Sequence, residues 1–175
     1  MINNFFSQNK LFFLGLVISL SIAFFDLLSK DLVFAFLDKI TTERHLKYPA
    51  LEITSFFNLV KVLNSGVSFG MFSNLVGGKY IILSINFAIL LVLLIWLYRN
   101  KIIYLTWAIA LIIGGAIGNI TDRIQNHSVA DFLDFHIFGY NWPAFNLADS
   151  AVFLGVALLL LEDYFIKKPN NKKNV

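Results

Sequence analysis

Three aspartates occur within residues 129–150, and the last of them lies in an apolar stretch. Asp131 and Asp134 precede the stretch 143–161, and Asp149 lies inside it. A carboxylate costs about 2.5–3.5 kcal/mol at the centre of a membrane-spanning helix and less near its end, so such residues are usually kept for function. Two aspartates that meet at a membrane surface can share a proton, which lets one act as an acid and the other as a base. The pattern suggests acid–base chemistry on a buried substrate, with either Asp131 or Asp134 as the partner of Asp149.

The composition is that of an integral membrane protein. The 175 residues are 58% hydrophobic and only 14% charged, and the mean hydropathy is +0.72, which leaves too little polar surface for a soluble globule. The absence of Cys excludes disulfides, thiolate metal sites and Cys nucleophiles. The net charge is +3, but four basic residues lie near the C-terminus, where they fit an anionic lipid surface better than a nucleic acid. They are Lys167, Lys168, Lys172 and Lys173.

The elements that must position the aspartates are apolar stretches long enough to cross a bilayer, which needs about 20 residues. We predict spans over 11–30, 80–98, 102–120 and 143–161. The alternative that the first stretch is a cleavable signal peptide is weak, because it lacks a small-residue cleavage site and its apolar pattern continues past Asp26. The second and third spans form a hairpin, because only residues 99–101 join them.

A small β platform outside the membrane is predicted over residues 51–72. This region mixes β-branched and aromatic residues with partial alternation, and we expect two or three short strands with a turn at residues 64–66. Whether the platform moves as a lid, with Gly66 and Gly70 as hinges, stays open. The polar tail 169–175 is expected to be disordered, and the chain is treated as one membrane domain.

Four spans place both termini on the same side of the membrane. Counting basic residues does not decide which side this is, so we give most weight to the short connection 99–101 and to the lysine-rich tail, and predict that both termini are cytoplasmic. The polar helix-end motifs then all lie near the outer surface. These motifs comprise Asp26, Lys30, residues 64–69, residues 119–123, Asp131, Asn146 and Asp149.

Several of these motifs have spacings that predict contacts on helices. Asp26 and Lys30 are four residues apart, which suits an ion pair, and Asn146 and Asp149 share a helix face. Asn119, Asp122 and Arg123 project from one side of a helix end in the same way. The glycines just before them permit close approach to another helix. They are Gly114, Gly115 and Gly118.

Five motifs occur in one order along the chain. They are D-x-x-S-K at 26–30, FFNLVKVLNSGVSFG at 56–70, GGAIGNITDR at 114–123, VADFLDF at 129–135 and PAFNLADS at 143–150. With them the chain resembles the lipoprotein signal peptidases, the bacterial signal peptidase II family. The resemblance covers nearly the whole chain.

The resemblance implies an intramembrane aspartic endopeptidase of the bacterial inner membrane, a four-helix bundle with an outer β-cradle that needs no cofactor. It implies that the enzyme cleaves prolipoproteins immediately before a diacylglyceryl-modified Cys, that Asp131 and Asp149 form the catalytic dyad, and that the cyclic peptide globomycin blocks the site. A monomer is the default expectation. The positions that support the dyad or shape the substrate pocket are Asp26, Lys30, Asn64, Gly66, Asn119, Asp122, Arg123, Asn146 and Ala148.

The chain departs from the family pattern at three positions, none of them catalytic. Ser29 replaces a usual Thr, Leu63 replaces a polar residue, and His127 replaces a common Gly. The last departure puts the conformation of residues 125–128 in doubt, because a residue with a Cβ resists positive φ.

The residues themselves allow three readings of function. Peptide hydrolysis needs a base that deprotonates the attacking water and an acid that protonates the departing nitrogen, and two aspartates can supply both. We hypothesise that Asn119, Asn146 and Arg123 hold the carboxylates and the oxyanion. Removing one donor of this kind costs roughly 2.7–4 kcal/mol. A transporter would need polar positions through the bilayer, which the apolar spans hardly provide. A non-catalytic assembly protein would not need Asp149 to be acidic.

The pattern also bears on two ion pairs and on the histidines. Asp122 and Arg123 could equally be a structural ion pair, and Asp26 with Lys30 is better read as a structural or pocket-lining pair than as catalytic. The three histidines, His45, His127 and His136, lack metal-ligand spacing, so no metal site is expected.

Overall fold

The structure is a computed structural model that describes residues 9–45, 47–65 and 78–161. The helices in this part are α1 (Lys10–Glu43), α2 (Gly78–Arg99), α3 (Ile103–Asn126) and α4 (Leu147–Leu160). The strands are β1 (Ala50–Thr54), β2 (Phe57–Asn64), β3 (Val129–Ile137) and β4 (Tyr140–Asn141). They form one antiparallel sheet in the order β1-β2-β3-β4. The predicted fold class, a helical membrane bundle with a small β platform, is confirmed.

Three described helices, α1, α2 and α3, are long and apolar enough to cross a membrane, and α4 is a shorter apolar helix of 14 residues. Helix α1 has 34 residues and is therefore about 51 Å long at about 1.5 Å per residue, whereas the hydrocarbon core is only about 30 Å thick. We predicted a span that ends at Lys30, but the helix continues for 13 further residues. A change in polarity marks where a helix leaves lipid and does not by itself end the helix.

The C-terminal part of α1 supports the sheet. The Lys61 ammonium on β2 bonds the Asp38 carboxylate at 2.6 Å and lies 5.2 Å from the centre of the Phe34 ring. Both partners lie on α1 beyond the predicted span. This contact anchors the platform to the first helix.

Small residues let the helices pack closely, as the glycine motif predicts. A Cβ on Gly114 would lie 2.7 Å from the Ser19 carbonyl oxygen of α1, so a larger residue there would force the two helices apart. The Ser19 hydroxyl donates to the Ala110 carbonyl at 3.0 Å across the same contact. The α2–α3 hairpin adds an apolar core around Leu97, Ile109 and Ile113.

The sheet differs from the predicted platform in its connections. We placed all strands within residues 51–72, but β2 pairs with β3, where Asn64 lies opposite Val129 and Phe57 opposite Phe135. The turn between β1 and β2 falls at residues 55–56, and Asn64 is the last residue of β2. The predicted turn at residues 64–66 lies partly outside the described residues. Pairing between strands 65 residues apart leaves no local sign in the sequence. Gly66, Gly70 and the tail 169–175 lie outside the described residues.

Helix α4 begins at Leu147, four residues after the start of the predicted span. Asn146 is the N-cap, because its side-chain oxygen accepts the Asp149 amide N–H while the Asp149 carboxylate accepts the Asn146 N–H. We predicted Pro143 in the first helical turn, but it lies before the helix. The residues after it continue the sheet, since Phe145 exchanges backbone hydrogen bonds with Leu133.

Helix α3 ends at His127 in the left-handed region, with φ of 58°. We expect His127→Gly to raise the free energy of unfolding by up to about 1 kcal/mol, because this conformation costs a residue with a Cβ about 1–2 kcal/mol and the entropy of Gly offsets about 0.5–1. Thermal unfolding in detergent should show a midpoint about 2–4 °C higher. His127→Ala keeps the Cβ and should show no gain. A lower midpoint for the Gly variant would contradict the strain.

Candidate active site

Asp131 lies near the start of β3 and is only 2% exposed. One carboxylate oxygen accepts the Asn64 side-chain amide at 3.1 Å, and the other accepts the Asn146 side-chain amide at 2.7 Å. Burial raises the pKa of the Asp131 carboxyl from 3.8 to about 6; the charge of Asp149 also raises it, while the two hydrogen bonds lower it. Asp131 can therefore hold a proton near neutral pH.

Asp149 is half-buried in the first turn of α4. Its carboxylate accepts the Asn119 side-chain amide at 2.8 Å and the Asn146 backbone N–H at 3.3 Å. The N-terminal end of a helix also interacts favourably with a carboxylate, because the peptide dipoles of the helix add along its axis. Both contacts fix the position of the Asp149 carboxylate.

Asn146 connects the two carboxylates and is completely buried. Its side-chain nitrogen donates to the Asp131 carboxylate, and its backbone N–H donates to the Asp149 carboxylate. Its side-chain oxygen accepts the Asp149 backbone N–H. The side-chain nitrogen also lies 3.2 Å from the Asn119 oxygen. One residue therefore fixes the strand that carries one aspartate against the helix that carries the other.

A buried cation lies beside this pair. The Lys30 ammonium, 2% exposed, lies 2.6 Å from the Asp26 carboxylate, 2.8 Å from Asp122 and 3.2 Å from the side-chain oxygen of Asn119. The predicted ion pair between Asp26 and Lys30 is present, and Asp122 joins it as a second carboxylate. The alternative pairing of Asp122 with Arg123 is replaced by this contact.

The two carboxylates bound to Lys30 also hold the backbone next to each catalytic candidate. Asp26 accepts the Ala148 N–H at 2.8 Å, one residue before Asp149. Asp122 accepts the Ala130 N–H at 3.2 Å, one residue before Asp131. The cluster ties α1 and α3 to both chain segments that bear the aspartates.

Asp134, the rival to Asp131 in the sequence, lies elsewhere. Successive strand residues point to opposite faces, so residues three apart in β3 point in opposite directions. The Asp134 carboxylate accepts the Asn58 side-chain amide at 2.8 Å, and Asn58 is its cross-strand partner on β2. It is bonded to the sheet and not to Asp149.

Arg123 reaches the site less directly than predicted. Its guanidinium donates to the Asn119 carbonyl at 3.3 Å, within α3, and its charge acts on Asp149 and Asp131.

Gly66 lies outside the described residues. Sequence analysis missed Asn58 and the Lys61–Asp38 pair, for which no local spacing gives a signal. Within the described ranges, no group of three His, Cys, Asp or Glu residues is arranged to hold a metal ion.

The sequence matches the family described as Signal peptidase (SPase) II over residues 18–165. It is 42% identical to the lipoprotein signal peptidase of Janthinobacterium sp. (strain Marseille) over 129 residues, which cover 71% of this chain and 78% of that protein. It is 43% identical to the lipoprotein signal peptidase of Aeromonas hydrophila subsp. hydrophila over 132 residues, or 73% of this chain and 77% of that protein.

Two solved structures of bacterial membrane enzymes, both obtained by the in meso method, share this fold. The one at 2.3 Å resolution has a TM-score of 0.69 at 30% identity and covers 92% of this chain and 93% of its own. The one at 1.9 Å has a TM-score of 0.70 at 28% identity and covers 89% of this chain and 94% of its own. The family match covers most of the chain and agrees with the five motifs, so the chain belongs to the signal peptidase II family.

Proposed function

We propose that Asp131 and Asp149 are the catalytic dyad of an aspartic endopeptidase that cleaves lipoprotein signal peptides. The observation that carries this proposal is the bridging position of Asn146, whose side-chain amide donates to the Asp131 carboxylate and whose backbone N–H donates to the Asp149 carboxylate. The names of the relatives support the substrate class. Asp149 lies in the first turn of an apolar helix, where a membrane-embedded peptide bond can reach it.

The two aspartates have different surroundings, and these suggest different roles. Asp131 is more deeply buried and has its pKa raised to about 6, so it is the proton donor. Asp149 is less deeply buried and accepts the Asn119 amide in the first turn of α4, so we assign it as the base. Environments that separate the proton affinities of two carboxyls are how such pairs divide acid and base work.

The reaction then balances with these two groups alone. The Asp149 carboxylate takes a proton from a water molecule as the water oxygen attacks the scissile carbonyl carbon. The Asp131 acid donates a hydrogen bond to the carbonyl oxygen, which carries the developing negative charge. The C–N bond breaks when the amine nitrogen receives a proton from the pair, and the products are a free carboxylate and a free amine.

The surrounding residues position this pair. We assign Asn119 and Asn146 to holding the carboxylates, since both bond them, and Arg123 to stabilising the charge of the site. Asp26 and Asp122 bond the backbone beside each aspartate, and Lys30 bonds both of these carboxylates, so all three are positioning residues. Asn64 lowers the pKa of Asp131 through its hydrogen bond, and the small side chain of the buried Ala148 lets α4 pack closely in the bundle.

The substrate is a prolipoprotein that carries a diacylglyceryl-modified Cys, and cleavage occurs immediately before that residue. Both chain termini lie in the cytoplasm, and the site lies near the outer face of the inner membrane. The positive-inside rule supports this orientation, because Lys10, Arg99 and Lys101 lie at the end of the bundle opposite the site. Because the chain resembles this family, globomycin is expected to block the site. A monomer is the expected state.

The pH dependence of cleavage tests the assignment of the acid. If Asp131 must be protonated, kcat/KM falls as the pH rises through about 6, and this fall is the upper limb of the pH profile. Asn64→Ala removes a hydrogen bond that lowers the pKa of Asp131, so the upper limb should move to higher pH. Initial rates with a lipidated peptide substrate in detergent would give both profiles.

Asn58→Ala is the matched control, because Asn58 lies on the same strand and bonds Asp134 in the same way. Its profile should coincide with that of the wild type. An upper limb that moves in the Asn58 variant, or that stays in place in the Asn64 variant, would contradict the role given to Asp131.

A further inference from the structure

The β3–β4 hairpin presents an uncharged aromatic surface that the chemistry does not use. Residues 135–148 contain no Asp, Glu, Lys or Arg. Phe138 at the tip is 98% exposed, Tyr140 is 82% exposed and Trp142 is 68% exposed. An open cleft of about 710 Å³ lies beside them, lined by further apolar residues such as Phe135 and Phe145. Contiguous exposed apolar surface of this kind marks a site of interaction.

The tip has a residue that folding does not favour. Ile137 pairs with Tyr140, so the loop consists of Phe138 and Gly139, which have φ of 50° and 81°. Two-residue hairpin loops with both φ values positive favour Asn-Gly or Asp-Gly. Phe138 has a disfavoured backbone conformation and buries almost nothing of its side chain within the chain. Its benefit must therefore come from outside the folded chain.

The chemistry of this surface fits lipid better than water or a polar partner. Tyr and Trp are enriched where a protein meets the membrane–water interface. Trp142 lies just before α4, whose side chains Phe153 and Leu160 are 73% and 79% exposed on an apolar helix. The aromatic surface therefore continues the surface that the bundle turns toward the acyl chains.

The opposite region of the platform is charged. Lys47 and Glu52 are exposed around β1, and the exposed pair of Lys39 and Glu43 lies at the end of α1. The β1 edge of the platform therefore carries exposed charges, whereas residues 135–148 at the other edge carry no Asp, Glu, Lys or Arg.

We propose that the β3–β4 hairpin inserts its tip into the bilayer leaflet on the side of the aspartates, with Phe138 as the deepest residue and Tyr140 and Trp142 at the interface. Because β3 carries Asp131 near its other end, this contact holds the sheet at a fixed depth above the lipid. The docking does not depend on which residues catalyse, so it can be tested apart from activity.

Lipid quenching of single tryptophans tests the insertion. Trp96, Trp107 and Trp142 are replaced by Phe, and Phe138→Trp is added to the full chain in phosphatidylcholine vesicles. We expect lipids brominated on their acyl chains to quench this fluorescence and aqueous iodide to leave it unchanged. Tyr48→Trp in the same background is the matched control, because Tyr48 is 66% exposed beside Lys47 on the charged side. It should respond to iodide only.

A tip tryptophan that iodide quenches and brominated lipid does not would overturn the proposal. Protection that appears only at high protein-to-lipid ratios would also overturn it, in favour of a second copy as the partner.

A second variant separates lipid contact from folding. Phe138→Asn suits the positive φ and creates the preferred Asn-Gly turn, so the melting temperature should stay the same or rise. With Trp142 as the only tryptophan, the same variant should lose quenching by brominated lipid as the hairpin leaves the leaflet. Unchanged quenching of Trp142 would show that Phe138 does not hold the hairpin in the membrane.

Discussion

Asp131→Asn and Asp149→Asn are each expected to abolish cleavage of a diacylglyceryl-modified prolipoprotein, whereas Asp134→Asn should keep it. Removing one member of a catalytic unit commonly costs about 10⁴-fold or more in kcat. Asparagine keeps the shape of the side chain but can neither take a proton from water nor give one up. Asp134 lies in the same strand, three residues from Asp131, and its carboxylate is bonded to Asn58 and not to the site.

The measurement is a gel-shift assay with purified protein in detergent, together with the melting temperature of each variant. The double variant Asp131→Asn/Asp149→Asn should be no slower than either single variant, because the two act as one unit. A chelator should leave the wild-type rate unchanged. An inactive but folded Asp134→Asn variant would show that the dyad has been assigned to the wrong aspartate.

Lys30→Met is expected to destabilise the protein by about 3–5 kcal/mol, the cost of leaving a buried charge without its partner. The Lys30 ammonium lies within 2.8 Å of two carboxylates that are almost fully buried, Asp26 and Asp122. Methionine has a similar length and fills the space, so the loss reports the charge and not a cavity. Thermal or denaturant unfolding in detergent would measure it.

Lys39→Met is the matched control, because Lys39 lies on the same helix and also faces an acid four residues away. Its distance to Glu43 is 3.9 Å, and both side chains are largely exposed. Exposed pairs contribute at most about 1 kcal/mol, so little change is expected. Adding Asp26→Asn and Asp122→Asn to Lys30→Met should recover stability by removing the unpaired charges. Equal effects of the Lys30 and Lys39 variants would contradict a buried charge cluster.

The sequence determined those features that local pattern encodes. Long uncharged runs specify membrane-spanning helices, because side chains in lipid must be apolar and the backbone groups there must be hydrogen-bonded within the helix. The spacing of Asp26 and Lys30 predicted their contact, since neighbours on one helix face are fixed by helical geometry. The ordered motifs identified the family, and the enzyme reading thereby prevailed over the transporter and the assembly protein.

Only the tertiary structure decided how distant segments meet. The choice between Asp131 and Asp134 rested in the sequence on family resemblance alone. In the structure, the pairing of β2 with β3 turns Asp131 toward Asn146 and Asp134 toward Asn58. The last 13 residues of α1 and the second carboxylate of Lys30 were also not predicted. Hydropathy and periodicity describe what each segment buries but not its partner, because contacts between distant segments depend on the packing of the whole chain.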